Sequence, residues 1–282
     1  MPIAIVTDSA CDLPAATTTE LGITVVPLTI RFGDEELVDG QDLTPKEFWA
    51  RCARSPVLPE TAAPSAGAFQ AAFEAVGEGA EGVLCVTLSG SLSATVDAAR
   101  AAAQALAGRI PVEVVDSRSI TLGEGLLVMA GANLARAGQS LGDVTGAVSD
   151  LVSRTRFYGT MATLEYLRKG GRVGAAAALF GSLLSFKPVI TIVDGAVEAE
   201  SRQRTRSRSL RYLVDKLRGY APLLQVGVVH GDAADLEEFL TMVSEVVPRS
   251  AIVVGDLGPA IGTHSGPGSI GVTFQVPGNL AG

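Results

Sequence analysis

Through its first half, the chain alternates short β-rich apolar runs with helix-patterned stretches, and this alternation limits its possible folds more than any other feature. Ile3–Thr7, Val83–Thr87 and Val112–Val115 are strand-length runs dominated by Ile and Val. Between and after them lie Pro14–Leu21, a helix from Pro45 to about Ala53, one from Ser65 through Val76, an Ala-rich helix over Ser93–Leu106 and an apolar one over Leu122–Ala137. Thr44-Pro45-Lys46-Glu47 predicts its helix start from chemistry: a capping box with proline at the first helical position. Strands separated by helices pair in parallel through crossovers, so the expected fold is α/β with a mainly parallel N-terminal sheet. Ile23–Ile30 reads as a further strand interrupted by Pro27, which suggests an edge or a bulge.

The second half follows the pattern less regularly. Strands are expected at Arg156–Thr160, Val226–His230 and Ala251–Gly255, and helices at Leu164–Lys169, Arg208–Arg218 and Leu236–Val247. Gly170-Gly171 closes the first of these helices. Asp194-Gly195 between Pro188–Val193 and Val197–Glu200 is a hairpin signal. A length of 282 residues fits two domains, with the boundary near Asp150–Arg156. The expected units are residues 1–155 and a second α/β domain over residues 156–282.

Composition excludes several classes. A net charge of −8 disfavours nucleic acid as a partner, because phosphate binding needs clustered cations. No uncharged apolar run approaches the length of a membrane span, so stable membrane insertion is not expected. The N-terminus reads as a first strand running into Asp8 rather than a signal peptide, which implies a cytoplasmic protein. Cys11, Cys52 and Cys85 are scattered without a CxxC spacing, as befits reduced thiols with no zinc site. P-loop, HExxH and GxSxG motifs are absent. Gly266–Gly271 matches GxGxxG but leads into a strand rather than a helix, which argues for a tight loop and against a dinucleotide site.

Four segments could carry chemistry. Asp8 and Ser9 end the first strand, where ligands of open α/β sheets bind, although bonding within their own turn is favoured. In Thr61–Ser65, Ser65 suits a helix N-cap and leaves the Thr61 hydroxyl available to an anion or to its own backbone. Thr87–Ser91 joins a strand to a helix; Ser89 offers a hydroxyl and Gly90 a close backbone approach, suited to one carboxylate or simply to a cap. Gly258–Gly268 reads as a glycine- and proline-rich loop carrying His264, with little core for an imidazole to fill. His230 reads as a support for the fold.

Taken in order, these segments resemble the DegV family from end to end. The resemblance also rests on Val115-Asp116-Ser117, Gly123-Glu124-Gly125, Thr163 to Arg172, Leu183-Leu184-Ser185-Phe186-Lys187-Pro188 and Arg204-Thr205-Arg206. It implies a two-domain α/β protein that holds a long-chain fatty acid in an apolar tunnel, with no cofactor. It further implies that the protein is the non-catalytic acyl-carrying subunit of a bacterial fatty acid kinase, whose partner subunit binds ATP and phosphorylates the carboxylate. By motif, Thr61, Ser89 and Gly90 would hold the carboxylate with His264 close by. Arg172, Arg204 and Arg206 would face the kinase or steady an acyl phosphate, and the Leu-, Ala- and Val-rich helices could line the tunnel. Ala63 stands where the family often has Gln, and Leu92 where an aromatic is common; both bear on the shape of the pocket mouth. Two other readings remain: a lipid or small-molecule sensor without a kinase, and a self-sufficient phosphotransferase or hydrolase using His264 and Asp8.

Overall fold

The computed structural model describes residues 3–179 and 186–278. The expected α/β fold is present. The first half contains strands β1 (Ala4–Asp8), β2 (Ile23–Val26), β3 (Thr29–Phe32), β4 (Glu35–Val38), β5 (Glu60–Ala62), β6 (Val83–Thr87) and β7 (Val112–Asp116). Its helices are α1 (Ala15–Leu21), α2 (Pro45–Cys52), α3 (Ala66–Gly77), α4 (Thr95–Ala105), α5 (Leu122–Arg136) and α6 (Leu141–Arg154). The order β2-β1-β6-β7 forms an all-parallel sheet. Residue alternation explains its two covered faces. Ile5, Leu84 and Val86 pack against Leu127 and Val128 of α5 and Val148 of α6. Val6, Val83 and Cys85 pack against Phe69 and Phe73 of α3 and Ala99 of α4.

The structure departs from the sequence reading in several places, including strands β4 and β5, where none was expected. Ile23–Ile30 is two strands rather than one interrupted strand: beyond Pro27, the chain leaves the parallel sheet and enters a separate antiparallel sheet ordered β4-β3-β5. Pro27 lacks the N–H needed to continue the ladder. Helix α6 falls where no element was expected, although Ser140 caps it and Val144 and Val148 bury one stripe. A further departure, in the expected loop around His264, is described with the site.

The second half adds β8 (Thr155–Thr160), β9 (Lys187–Val193), β10 (Ala196–Gln203), β11 (Gln225–His230), β12 (Ile252–Asp256) and β13 (Ile270–Gln275). It also adds α7 (Glu165–Lys169), α8 (Arg206–Gly219), α9 (Leu236–Val243) and α10 (Pro259–Ser265). The sheet order is β10-β9-β8-β13-β11-β12, antiparallel except for β11 with β12. Asp194 and Gly195 both take positive φ, 49° and 82°, as the expected hairpin turn requires. One sheet face packs on Leu213 and Leu217 of α8 and Phe239 of α9. The other face turns inward: Phe157, Ile190 and Val229 share a continuous core with Leu28, Ile30, Phe48, Leu88 and Ile120 of the first half. Among the described residues, no helix is long and apolar enough to cross a membrane.

Candidate functional site

Within that shared core lies a cavity of about 220 Å³. Its apolar wall includes Leu28, Leu88 and Ile120 from the first half and Phe157, Ile190 and Val229 from the second. The wall is therefore built chiefly from strands and loops. The Ala- and Leu-rich helices α4 and α5, which could have lined a tunnel, contribute no residue to the wall: α4 packs on the parallel sheet, and α5 packs between that sheet and strands β8, β11 and β13.

Seven residues with polar side chains also line the cavity: Thr61, Ser93, Thr160, Arg172, His264, Ser265 and Ser269. The Thr160 and Ser269 hydroxyls donate to backbone carbonyls, and Ser265 Oγ is buried without a partner among the described residues. Thr61 lies on β5, opposite Ile30 of β3, between exposed Glu60 and Ala62, so strand alternation turns it inward. Its Oγ1 lies 3.0 Å from His264 Nε2, and the two share a hydrogen bond across 203 residues of sequence. Ser65 caps α3 by accepting the Ala68 N–H, which leaves Thr61 free for this contact. Arg172 is fixed by two carbonyls: its Nε donates to Leu92 O at 3.2 Å and its Nη1 to Gly170 O at 2.7 Å. Ser93 follows Leu92 directly and shares a hydrogen bond of 2.8 Å with Thr95 at the start of α4.

His264 sits at the end of α10, where the sequence suggested a loop. Pro259 occupies the first helical position, and Gly266, with φ of 75°, ends the helix. That pairing of proline at the start and glycine after the end is a helix signal which the abundance of glycine had masked. Gly170 is required by the imidazole, because a Cβ there would lie 2.1 Å from His264 Nδ1. Burial, reinforced by the nearby Arg172 guanidinium, pushes the His264 pKa down to about 4. The ring is therefore neutral at pH 7, and Arg172 is the only charged member of the group. A neutral imidazole, two hydroxyls and a guanidinium suit an anion with several acceptor oxygens and an apolar tail.

Other expected site residues lie elsewhere. Ser89 is fully buried and donates its hydroxyl to Gly195 O at 2.7 Å, tying the loop after β6 to the β9–β10 hairpin. The Gly90 N–H donates to the Asp116 carboxylate at 3.2 Å. With both groups committed to protein partners and neither lining the cavity, Ser93 is the serine of this segment that meets it. Three serines within five residues gave no local means of choosing among them. Asp8 is also committed: its oxygens accept the Ala10 and Leu88 N–H groups, and burial raises its carboxyl to about 7. Asp8 does not line the cavity that His264 lines.

The arginines separate as well. Arg172 lines the cavity and is half-buried. Arg206 opens α8 and forms a two-pronged ion pair with Asp235 at 2.7 and 3.0 Å. Arg204 is exposed, as are Arg208 and Arg211. The strand ends at Gln203 and the helix begins at Arg206, so Arg204 lies in the connection between them and Arg206 in the first turn of α8. Leu183, Leu184 and Ser185 of the Leu183–Pro188 motif lie outside the described residues.

The comparisons with known proteins agree with this architecture. A DegV domain-containing protein of Deinococcus radiodurans is 36% identical, with the alignment covering 98% of this chain and 99% of that one. A Thermus thermophilus structure described as fatty acid binding of a DegV family protein superposes with a TM-score of 0.91 at 32% identity, covering 98% of this chain and 100% of that one. A stearic acid-binding protein from Eubacterium ventriosum gives a TM-score of 0.89 at 27% identity, covering 97% and 98%. A family model described as an uncharacterised protein of the DegV family matches residues 2–276, so the resemblance extends through all three sheets and every element that builds the cavity: the chain belongs to the DegV family.

Proposed function

We propose that this protein binds a long-chain fatty acid, with its acyl chain in the cavity and its carboxylate at Thr61, Ser93, Arg172 and His264. The observation that carries this reading is an apolar enclosure whose few polar side chains include a hydrogen-bonded Thr–His pair beside a fixed guanidinium. Burying each methylene contributes about 0.8 kcal/mol, so the tail supplies most of the gross affinity. The polar group supplies selectivity for an acid, since a buried carboxylate must be hydrogen-bonded. The fatty-acid-binding DegV family protein of Thermus thermophilus and the stearic acid-binding protein of Eubacterium ventriosum support the same ligand class here.

The finer reading is that the chain is a non-catalytic carrier that presents its carboxylate to an ATP-binding kinase for acyl phosphate formation. Arg172 suits the added phosphate charge, because its planar fork matches phosphate oxygens. Exposed Arg204, with Arg208 and Arg211, offers the docking face, while Arg206 is held by Asp235. Denaturing extraction followed by mass spectrometry tests the ligand: stoichiometric fatty acid supports the reading, whereas none, with no uptake when fatty acid is added back, overturns it. Reconstitution with an ATP-binding kinase subunit tests the carrier role, with partner-dependent acyl phosphate as the expected product.

A further inference from the structure

Helix α10 brings His264 to Thr61 from its last turn, and its first turn is held from the other half of the protein. Its N-cap is Gly258, which has no side chain to cap the helix. Asp12 supplies that function: its Oδ1 accepts the Gly258 N–H at 2.9 Å across 246 residues. Asp39 also faces this end. Its Oδ2 accepts the Ser9 hydroxyl at 2.8 Å, which leaves Oδ1 turned towards the start of α10. A Cβ on Gly258 would meet Asp12 Oδ1 at 2.8 Å and Asp39 Oδ1 at 3.9 Å, so both carboxylates converge on one backbone position. Asp12 and Asp39 are only 8% and 6% exposed. Farther along, Gly262 rests on α2, where a Cβ would lie 2.6 Å from the Phe48 ring and 2.9 Å from Trp49. The helix is thus fixed at its start by carboxylates, at its middle by rings and at its end by the head-group contact.

We propose that Asp12 and Asp39 are positioning residues, a carboxylate clamp that sets the placement of α10 and so holds His264 Nε2 at Thr61 for recognition of the ligand's acid group. A helix of this length moves as a unit, so releasing its first turn shifts the imidazole at its last. The clamp rests on the reading of the cavity as a fatty-acid site only for its functional consequence; its geometry is independent of any ligand. The two aspartates have different requirements. Asp12 needs one acceptor for the Gly258 N–H, and its Oδ2 has no hydrogen-bond partner. An asparagine can therefore replace it. Asp39 turns Oδ2 to Ser9 and Oδ1 to the start of α10, and an asparagine can present an oxygen on only one of these two sides.

The test uses the full chain with Asp12→Ala, Asp12→Asn and Asp39→Asn. His230 and His264 are the protein's two histidines, so imidazole NMR signals can be assigned with a Thr61→Val reference. In Asp12→Ala and Asp39→Asn, the His264 signal should move towards its position in Thr61→Val, and its titration midpoint should rise from about 4 towards 6.5. Asp12→Asn should retain the wild-type signal and midpoint. Affinity for hexadecanoic acid should fall about tenfold in the two disruptive variants, the scale of one hydrogen bond, while affinity for hexadecanol is unchanged. A wild-type His264 signal and acid-to-alcohol ratio in both disruptive variants would overturn the clamp. Equal losses for acid and alcohol would also overturn it, because they mark general loosening. If Asp12→Ala does not fold, Asp39→Asn carries the same comparison. If the wild-type protein binds no fatty acid, the proposed function fails and the imidazole signals still decide the clamp.

Discussion

Replacing Thr61 with valine preserves the shape of the side chain and its place on β5 but removes one hydroxyl. Two consequences follow from the structure. A bound carboxylate loses a hydrogen-bond donor, and bonds to charged groups are worth about 1.5–3 kcal/mol. That corresponds to a loss in affinity of roughly 10- to 150-fold. His264 also loses its partner at Nε2, and its Nδ1 has none among the described residues. Orphaning a buried polar group costs about 1–3 kcal/mol, so the ligand-free protein should melt several degrees lower. Isothermal titration with hexadecanoic acid and with its methyl ester separates the terms. The acid should bind more weakly to Thr61→Val, whereas the ester, which presents no carboxylate, should bind both proteins alike. The reasoning fails if the acid binds both proteins equally, or if acid and ester lose affinity together.

Other perturbations test neighbouring parts of the argument. Ser93→Ala should weaken fatty-acid binding selectively, whereas Ser89→Ala should lower the melting temperature by releasing the Gly195 hairpin contact and leave acid-over-ester selectivity intact. Arg172→Ala should reduce fatty-acid affinity and abolish acyl phosphate formation in the reconstituted kinase assay; unchanged fatty-acid affinity would return Arg172 to a purely partner-facing role. Arg204→Glu should weaken kinase docking in a salt-dependent manner without affecting lipid binding, whereas Arg206→Ala should act mainly on stability through Asp235. His264 also sets a pH dependence. Its folded pKa of about 4 lies below the ordinary 6.5, so the unfolded chain binds the extra proton first. Stability from this group is complete above about 6.5 and is lost as pH falls towards 4. Asp8 and Asp39, raised by burial to about 7 and about 6, act in the opposite sense over much of that range. Denaturant titrations of wild type against His264→Asn isolate the histidine: the wild type should lose more stability between pH 6.5 and 4.

The sequence by itself determined everything that follows from local periodicity and local chemistry. Ile and Val runs between helical stretches specified the parallel sheet, because only helical crossovers return a chain to a parallel neighbour. Thr44 and Glu47 fixed the start of α2, and Asp194-Gly195 fixed a turn, since these depend on groups a few residues apart. The same local information included Pro259 and Gly266, which mark α10, and the Val144 and Val148 spacing of α6. These two helices were legible but outweighed by the glycines around and within them. What only the tertiary structure decided is which polar groups remain for a ligand. Ser89 and Ser93 are chemically alike and four residues apart, yet Ser89 is taken by a carbonyl 106 residues away and Ser93 meets the cavity. Arg172 and Arg206 have the same guanidinium, yet one is fixed in the cavity wall and the other is held by Asp235. A side chain's availability depends on the donors and acceptors brought to it by distant segments, and no local pattern records those distances.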